Sequence, residues 1–344
     1  MQILRQLLLI GISGQLASCD QQVTADYSLR VHVVDESGRN LPDAAVHTSR
    51  VDFTSPLPTG ENRMNPVVRT NEEGVAAITY KSVHHESGGP APAAAVEKDG
   101  WYPTSMVEDN WIPAAAGGRS SYHADIKPVM RPVKNPVPMY AKGNIGELSG
   151  YTRVPELNKD YGYDLMLGQA LPPLGKGETA DFHFRVEGDY TDRKSNALKL
   201  IVRFQNPNDG VVEFLTPQRK DIRDLRIQGS RYISDYVAPD SGYVNQITRF
   251  HTTSDQGSIR KTDVDHQRNF YFRTRTKTLP DGRIISANYG KIYGDFDFSS
   301  GNIEKGFYAN FGLVVSYFNP NVNDRYIEFD VKKNLLTDGN VFQP

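Results

Sequence analysis

Two carboxylates in this 344-residue chain have a spacing that could support catalysis. Asp295 and Asp297 flank Phe296, and residues i and i+2 of a β-strand lie on the same face. Two carboxyl groups about 5 to 9 Å apart can hydrolyse glycosides. Asp263 and Asp265 have the same spacing. A hydrolase that uses Asp295 and Asp297 is therefore one hypothesis, although acids at this spacing more often lie on solvated edges or bind calcium.

Aromatic residues beside polar ones indicate a second kind of site, because a ring face can stack on the C–H groups of a sugar. One group lies in or near a single long loop, and the other lies on one side of a predicted strand. The candidate ligand-binding residues are Trp101, Tyr102 and Trp111 in the first group and Tyr271, Arg273 and Arg275 in the second. The alternative is that these aromatic rings pack sheets against each other.

Metal ligation has weaker support in the sequence. His84 and His85 are adjacent, and neighbouring residues of a strand point to opposite faces, so the pair could chelate only from an irregular loop. The segments 206–210 and 319–324 offer oxygen ligands for calcium, but clusters of Asn, Pro, Asp and Gly are first of all turns. We therefore predict no metal and no cofactor.

Two further chemistries lack their motifs. No Gly-x-Ser-x-Gly elbow appears, so a serine nucleophile has no recognisable position. The segment Tyr289–Gly294 lacks the pattern of a phosphate-binding loop, and Gly175-Lys176-Gly177 fails because Ala170 occupies the place of the leading glycine. These observations favour a protein that is not an enzyme.

Cys19 is the only cysteine in the chain, so no disulfide can form within it. Arg5, an apolar run and small residues precede it, which is the arrangement of an export signal. The apolar run, residues 7–12, is shorter than the roughly 20 residues that span a bilayer. The segment Leu16–Cys19 resembles the lipobox of bacterial lipoproteins. The resemblance implies cleavage before Cys19, a diacylglyceryl group on its sulfur and an acylated new amino terminus.

Composition bounds the class of protein. Removal of residues 1–18 leaves 326 residues with a net charge of −3, because Arg5 is the only charge lost. Such a balance gives no electrostatic case for nucleic acid. The chain contains 29 Gly, 21 Pro, 18 Tyr and 15 Phe, and many turns with many aromatics favour short strands over long helices.

Residues 26–130 carry the signals of a small sandwich. The matching segments are Val33–Gly38, Leu41–Val46, Thr70–Gly74 and Asp99–Tyr102. Their order resembles the carboxypeptidase regulatory-like domain, a transthyretin-like β-sandwich of the immunoglobulin-like type. The resemblance implies this fold and says little about function. It transfers no peptidase activity, because no zinc peptidase domain accompanies the segment.

Residues 131–142 are rich in proline and predict a stiff, extended connector to a second unit at 143–344. Strand-like alternation recurs in that unit at 181–186, 198–204 and 269–277, and Pro280-Asp281-Gly282 predicts a hairpin turn. Residues 219–227 are the best short helix candidate. Segments such as Tyr289–Asp295 resemble those of uncharacterised bacterial β-rich lipoproteins. That resemblance implies no activity for this chain.

Together these patterns predict an all-β lipoprotein of the cell envelope: a signal peptide (1–18), a tether (19–25), an immunoglobulin-like sandwich, the connector, and a larger antiparallel, jelly-roll-like sandwich. The expected partners are a membrane, through lipid on Cys19, and a glycan or an envelope protein. Asp20 resembles a retention signal for the inner membrane in some Gram-negative bacteria, and the choice between inner and outer membrane stays open. The leading function is non-catalytic binding or scaffolding. A carbohydrate-binding accessory protein and a carboxylate-dependent hydrolase are the alternatives.

Overall fold

The structure is a computed structural model, and it describes the chain from residue 22 to residue 344. Residues 48–66, 86–92, 108–120, 144–150, 193, 217–228, 266, 304–305, 340 and 342 fall outside the description. Within the described residues the regular structure is β-strand, apart from one 3-10 turn at Asp255–Gly257. The chain is an all-β protein, as predicted.

Nine strands precede the proline-rich segment. They are β1 (Gln22–His32), β2 (Val34–Asp35), β3 (Ala45–His47), β4 (Val68–Arg69), β5 (Val75–His85), β6 (Ala93–Glu97), β7 (Thr104–Val107), β8 (Ser121–Ile126) and β9 (Val129–Met130).

Fourteen described strands follow. They are β10 (Val137–Gly143), β11 (Thr152–Val154), β12 (Tyr161–Asp164), β13 (Gln169–Ala170), β14 (Phe182–Asp192), β15 (Ser195–Arg203), β16 (Gly210–Leu215), β17 (Gly229–Ser230), β18 (Gln246–Ser254), β19 (Ile259–Thr262), β20 (Arg268–Thr278), β21 (Ile284–Ile303), β22 (Gly306–Asn319) and β23 (Phe329–Asn334).

The first unit is built on two sheets that share one apolar core. A three-stranded sheet has the order β5–β1–β8, and a five-stranded sheet has the order β17–β7–β6–β3–β4. Leu29 and Val31 of β1 are buried together with Val46 and Val96 of the other sheet. The strand β17 comes from the later part of the chain and pairs with β7, so a strand of the second unit completes the five-stranded sheet.

The second unit is a larger sandwich. Its seven-stranded sheet has the order β16–β20–β21–β22–β10–β23, with β11 also paired to β22, and its six-stranded sheet has the order β13–β12–β14–β15–β18–β19. Aromatic rings from both sheets fill the space between them: Phe184 stacks on Phe311 with ring centroids 4.0 Å apart. Among the described strands, five neighbouring pairs of these two sheets are consecutive in the chain, such as β20–β21, and six are not, such as β22–β10.

A second apolar cluster lies on the outer face of the seven-stranded sheet. Tyr271, Tyr293 and Tyr317 of the sheet pack there with Ala238 and Ile327, which belong to segments between strands. Both faces of this sheet are therefore covered.

The predicted tether differs from the structure. Residues 22–25 are the start of β1 and pair with Ser82–His85 of β5. The apolar and β-branched residues Val23 and Thr24 favour a strand, and their partner strand lies about sixty residues further along the chain, where local sequence reasoning does not reach. Residues 22–25 therefore belong to β1 and not to the predicted tether, and residues 19–21 lie outside the described part of the chain.

The predicted connector also differs in its second half. Val137–Gly143 forms β10, an internal strand of the seven-stranded sheet, whereas the sequence interpretation excluded a central strand there. The prolines do not obstruct this sheet because antiparallel pairing with β22 begins at Tyr140, after Pro138. Proline is tolerated at the start of a strand, where its missing N–H breaks no ladder hydrogen bond.

Other predicted elements are present. Strands β14, β15 and β20 coincide with the predicted alternating segments. The predicted hairpin turn joins β20 to β21, where Gly282 has a φ of 85° and the Leu279 amide donates to the Arg283 carbonyl. The helix candidate at 219–227 lies outside the described residues.

Candidate functional site

Of the two tryptophans predicted to bind a ligand, the structure describes Trp101 only. Trp101 is half-buried, packs against the core of the first sandwich and forms an isolated bridge with Pro132. Its ring therefore contributes to packing. Trp111 lies outside the described residues, and so does Cys19.

Tyr102 is buried at the contact between the two units, with 7% of its surface exposed. Its hydroxyl donates to Oε1 of Glu328 at 2.7 Å, and its ring stacks on Tyr232 with centroids 4.9 Å apart. Burial raises the pKa of Tyr102 far above its usual value, and the neighbouring Glu328 adds to the effect. In this position the ring offers no free face to a sugar.

The second predicted group is also held by internal contacts. The Tyr271 ring stacks on Phe214 at 4.3 Å, and its hydroxyl is hydrogen-bonded to Asp235. Arg273 donates from Nε to the Asn208 carbonyl at 2.6 Å. Both side chains fix a segment between strands onto the sheet.

Arg275 lies at a bulge of β20 and has a positive φ of 55°. It donates to Asp181 at 2.8 Å and to Asp164 at 3.1 Å, and its guanidinium lies over the Phe318 ring at 4.7 Å. Asp164 and Asp181 are buried, so Arg275 balances their charge. The structure thus brings Tyr271, Arg273 and Arg275 onto one strand but not into one open platform.

The contact between the units is formed by a set of residues that we call the junction cluster. It comprises Tyr102, Arg131, Tyr232, Tyr236, Lys291 and Glu328. Three of its rings form a ladder, because Tyr232 stacks on Tyr102 and also on Tyr236 at 4.8 Å. The Tyr236 hydroxyl donates to the Pro132 carbonyl at 2.6 Å. Stacked pairs of this kind add about 0.5–1.5 kcal/mol each beyond their buried area.

Arg131 connects the end of the first sandwich to the ladder. Its guanidinium lies 4.9 Å from the centroids of both Tyr232 and Tyr236, and Nη1 donates to the carbonyls of Tyr232 and Ser234. Nε donates to Glu36 at 2.7 Å. The same cation therefore holds residues of both units.

Glu328 is a fully buried carboxylate with three donors. Besides the Tyr102 hydroxyl, the backbone amides of Lys134 and Asn135 donate to it at 2.8 and 2.5 Å. A buried carboxylate is tolerated when such hydrogen bonds replace water. Because these donors come from residue 102 and from residues 134–135, Glu328 joins three distant parts of the chain.

Lys291 lies beneath this ladder with 0% of its surface exposed. Its Nζ donates to the Tyr293 hydroxyl at 2.8 Å and to Ser234 Oγ at 3.2 Å, and it lies 4.5–4.8 Å from the centroids of Tyr232, Tyr293 and Tyr317. Burial lowers the pKa of Lys291 well below its usual value, although Glu328 opposes the shift. The side chain is enclosed by residues of the second unit.

The junction cluster combines hydroxyl, amine and carboxylate groups, yet its geometry suits structure better than turnover. Burial raises the pKa of Tyr236 to about 12 and that of Tyr232 further still, so both hydroxyls stay protonated near neutral pH. Every polar group named above has an internal partner. One sequence pattern points to the junction cluster. Lys291 alternates with Tyr289 and Tyr293, so in a strand the lysine shares a face with two tyrosines.

The paired carboxylates have separate structural roles. Asp295, 1% exposed, accepts hydrogen bonds from Arg249 Nε at 2.8 Å and Arg268 Nη1 at 2.7 Å. Burial raises the pKa of Asp295, although the two arginines oppose this shift. Asp297 accepts a hydrogen bond from the Tyr151 hydroxyl at 2.9 Å. Asp295 is thus enclosed by cations, with no open side toward a substrate.

The other predicted acids and turns bind backbone groups. Asp263 accepts from the Phe250 amide at 2.6 Å, and Asp265 accepts from the Gln267 amide at 2.9 Å. The side chains of Asn206 and Asn319 cap their own turns, as the turn interpretation predicted. Among the described residues no group of three His, Cys, Asp or Glu could hold a metal ion.

Comparisons with known proteins add little. No protein-family profile matches the chain, and no curated protein matches it. A crystal structure from Bacteroides fragilis NCTC 9343, of a protein provisionally described as membrane-associated and of unknown function, is 11% identical and covers 87% of this chain and 99% of that one, with a TM-score of 0.18. Such a score supports no conclusion about function. Within the described part of the chain, no helix meets the length and hydropathy that crossing a bilayer requires.

Proposed function

We propose that the protein is a non-catalytic lipoprotein of the cell envelope that acts as a scaffold or binding platform at a membrane surface. In this proposal Cys19 carries the lipid and the two sandwiches are held at the surface as one body. A single acyl chain gives marginal anchoring at about 0.8 kcal/mol per buried methylene, and two or more hold a protein firmly.

The junction cluster carries the scaffold part of the proposal. The candidate residues that could have served a substrate or a sugar, Tyr102, Tyr271, Arg273, Arg275 and Asp295, are used within the fold. The chemistry-bearing side chains therefore stabilise the junction and the sandwich cores. A protein that uses its polar residues in this way fits a rigid scaffold better than an enzyme.

The anchor can be tested by fractionating cells that express the full chain with its signal. We expect the wild type in the membrane fraction, because acylation of Cys19 adds hydrocarbon that water disfavours. We expect Cys19→Ser to lose the lipid and to leave that fraction. Metabolic labelling with a radioactive fatty acid measures the same loss directly.

Ser18→Ala is the matched control, since it changes a neighbour of the cysteine and retains a small residue before the cleavage point. It should behave as the wild type does. If Cys19→Ser stays in the membrane fraction with the wild type, or if neither protein incorporates the fatty acid, the proposal is wrong.

A further inference from the structure

The distance between the proposed anchor and the first sandwich is short. Only Asp20 and Gln21 lie between Cys19 and the first residue of β1. An extended residue spans at most about 3.6 Å, so three steps along the chain reach about 11 Å. If the sulfur of Cys19 lies at a membrane surface, Gln22 cannot be far from that surface.

The same end of β1 belongs to an antiparallel ladder with β5. β1 pairs with β5 from Gln22, opposite His85, onward, and among the described residues its pairing with β8 runs from Asp26, opposite Ser121, the first described residue of β8. Residues 22–25 and 82–85 form the end of this antiparallel ladder, and we call these eight residues the ribbon. Four residues at about 3.3 Å each give it a length of roughly 13 Å.

The residue types of the ribbon fit a lipid headgroup layer. Residues 22–25 and 82–85 contain no Asp, Glu, Lys or Arg. Within these eight residues no carboxylate or ammonium group loses hydration on leaving bulk water, and the carboxylates of Asp20 and Glu86 flank them in the sequence. The first opposed charged residues, Asp26 and Lys81, lie at the base of the ribbon.

We infer that this ribbon is a bilayer-contacting surface and that its Gln22–His85 end lies in the headgroup layer of the anchored protein. The inference rests on the proposed function, because the short distance matters only if Cys19 carries lipid. Its occupant is the lipid surface, and the argument for that occupant is the length of chain between Cys19 and β1. The adjacent histidines singled out in the sequence, His84 and His85, occupy this end.

Fluorescence quenching in vesicles tests the inference. Once Cys19 is acylated its sulfur is blocked, so an introduced cysteine is the one free thiol of the chain. His85→Cys and Thr24→Cys place a fluorophore on either strand of the ribbon. Glu72→Cys is the control, because Glu72 is exposed in the turn before β5, about 33 Å along that strand from its ribbon end. The vesicles contain phosphatidylcholine, phosphatidylglycerol and a lipid with a nitroxide on its headgroup.

We expect both ribbon labels to lose most of their fluorescence in nitroxide vesicles, and the label at position 72 to keep it. Two ribbon positions are used so that misfolding of one variant does not decide the result. A protein that floats with the vesicles while its ribbon labels stay unquenched, or while all three labels are quenched equally, overturns this inference alone. A protein that does not float with the vesicles overturns the proposed function and the inference together.

Discussion

At the residue scale, Lys291 has the least ordinary environment in the described chain. Three tyrosine rings and two hydroxyls enclose its amine, and burial lowers its pKa well below the usual 10.5. Between that lowered pKa and 10.5 the unfolded chain binds a proton that the folded protein does not. The contribution of Lys291 to the free energy of unfolding therefore rises with pH through this range.

Lys291→Met should stabilise the protein at pH 7 by on the order of 1–4 kcal/mol, the gain found when buried charged groups are replaced by apolar ones of similar volume. The variant removes a buried amine whose charged form burial disfavours, and the Tyr293 hydroxyl keeps Ser234 as a partner. The difference between variant and wild type should shrink toward pH 10. Urea unfolding from pH 7 to pH 10 measures it.

Lys332→Met on β23 is the control, because Lys332 is exposed and its substitution should change stability little at any pH. A Lys291→Met variant that is less stable than the wild type at pH 7, or whose difference from it does not depend on pH, would contradict the assigned pKa shift.

At the element scale, β21 depends on a glycine for its place between β20 and β22. A Cβ on Gly290 would lie 2.0 Å from the Tyr317 carbonyl oxygen and 2.3 Å from the Phe272 ring. Gly290→Ala must therefore move either a backbone or a core ring. We expect the free energy of unfolding, measured by urea denaturation, to fall by about 1–3 kcal/mol.

Ser286→Ala is the control on the same strand, since Ser286 is half-buried outside the two cores. It should cost little. Equal stability of Gly290→Ala and the wild type would mean that the three strands are not packed as described.

Elements with local signals were predictable, and elements with distant partners were not. The alternation of β20 is a two-residue period that any reader of the sequence can detect, and Gly282 marks the turn after it. In contrast, the start of β1 and the strand β10 are defined by partners at residues 82–85 and 315–318. No local pattern shows these partners, so the predicted tether and the predicted connector include residues that belong to β1 and β10.

At the scale of the whole molecule, the junction cluster escaped sequence analysis for the same reason. Tyr102 and Glu328 are 226 residues apart in the chain. Tyr102 could be recognised as an aromatic residue of interest, but its partner could not. The sequence therefore indicated a sugar-binding residue at Tyr102, whereas in the structure Tyr102 belongs to the junction cluster.

Because the junction cluster connects the two sandwiches, we expect them to unfold together. In calorimetry the wild type should show one transition, whereas Tyr102→Ala should show two, because it removes the stacking on Tyr232 and one donor to the buried Glu328. Truncation of a large buried aromatic residue costs about 3–5 kcal/mol.

Tyr326→Ala, at an exposed tyrosine, is the matched control and should keep the single transition. Two transitions in the wild type, or one unchanged transition in Tyr102→Ala, would show that the junction cluster does not couple the sandwiches.

The central claim is that a lipid on one sulfur holds this all-β body at a membrane. Mass spectrometry of the amino-terminal peptide of the natively produced protein tests it most directly. We predict a peptide that begins at Cys19 and carries the mass of a diacylglyceryl group and an amide-linked acyl chain. A peptide with residues 1–18 still attached and an unmodified thiol would contradict it.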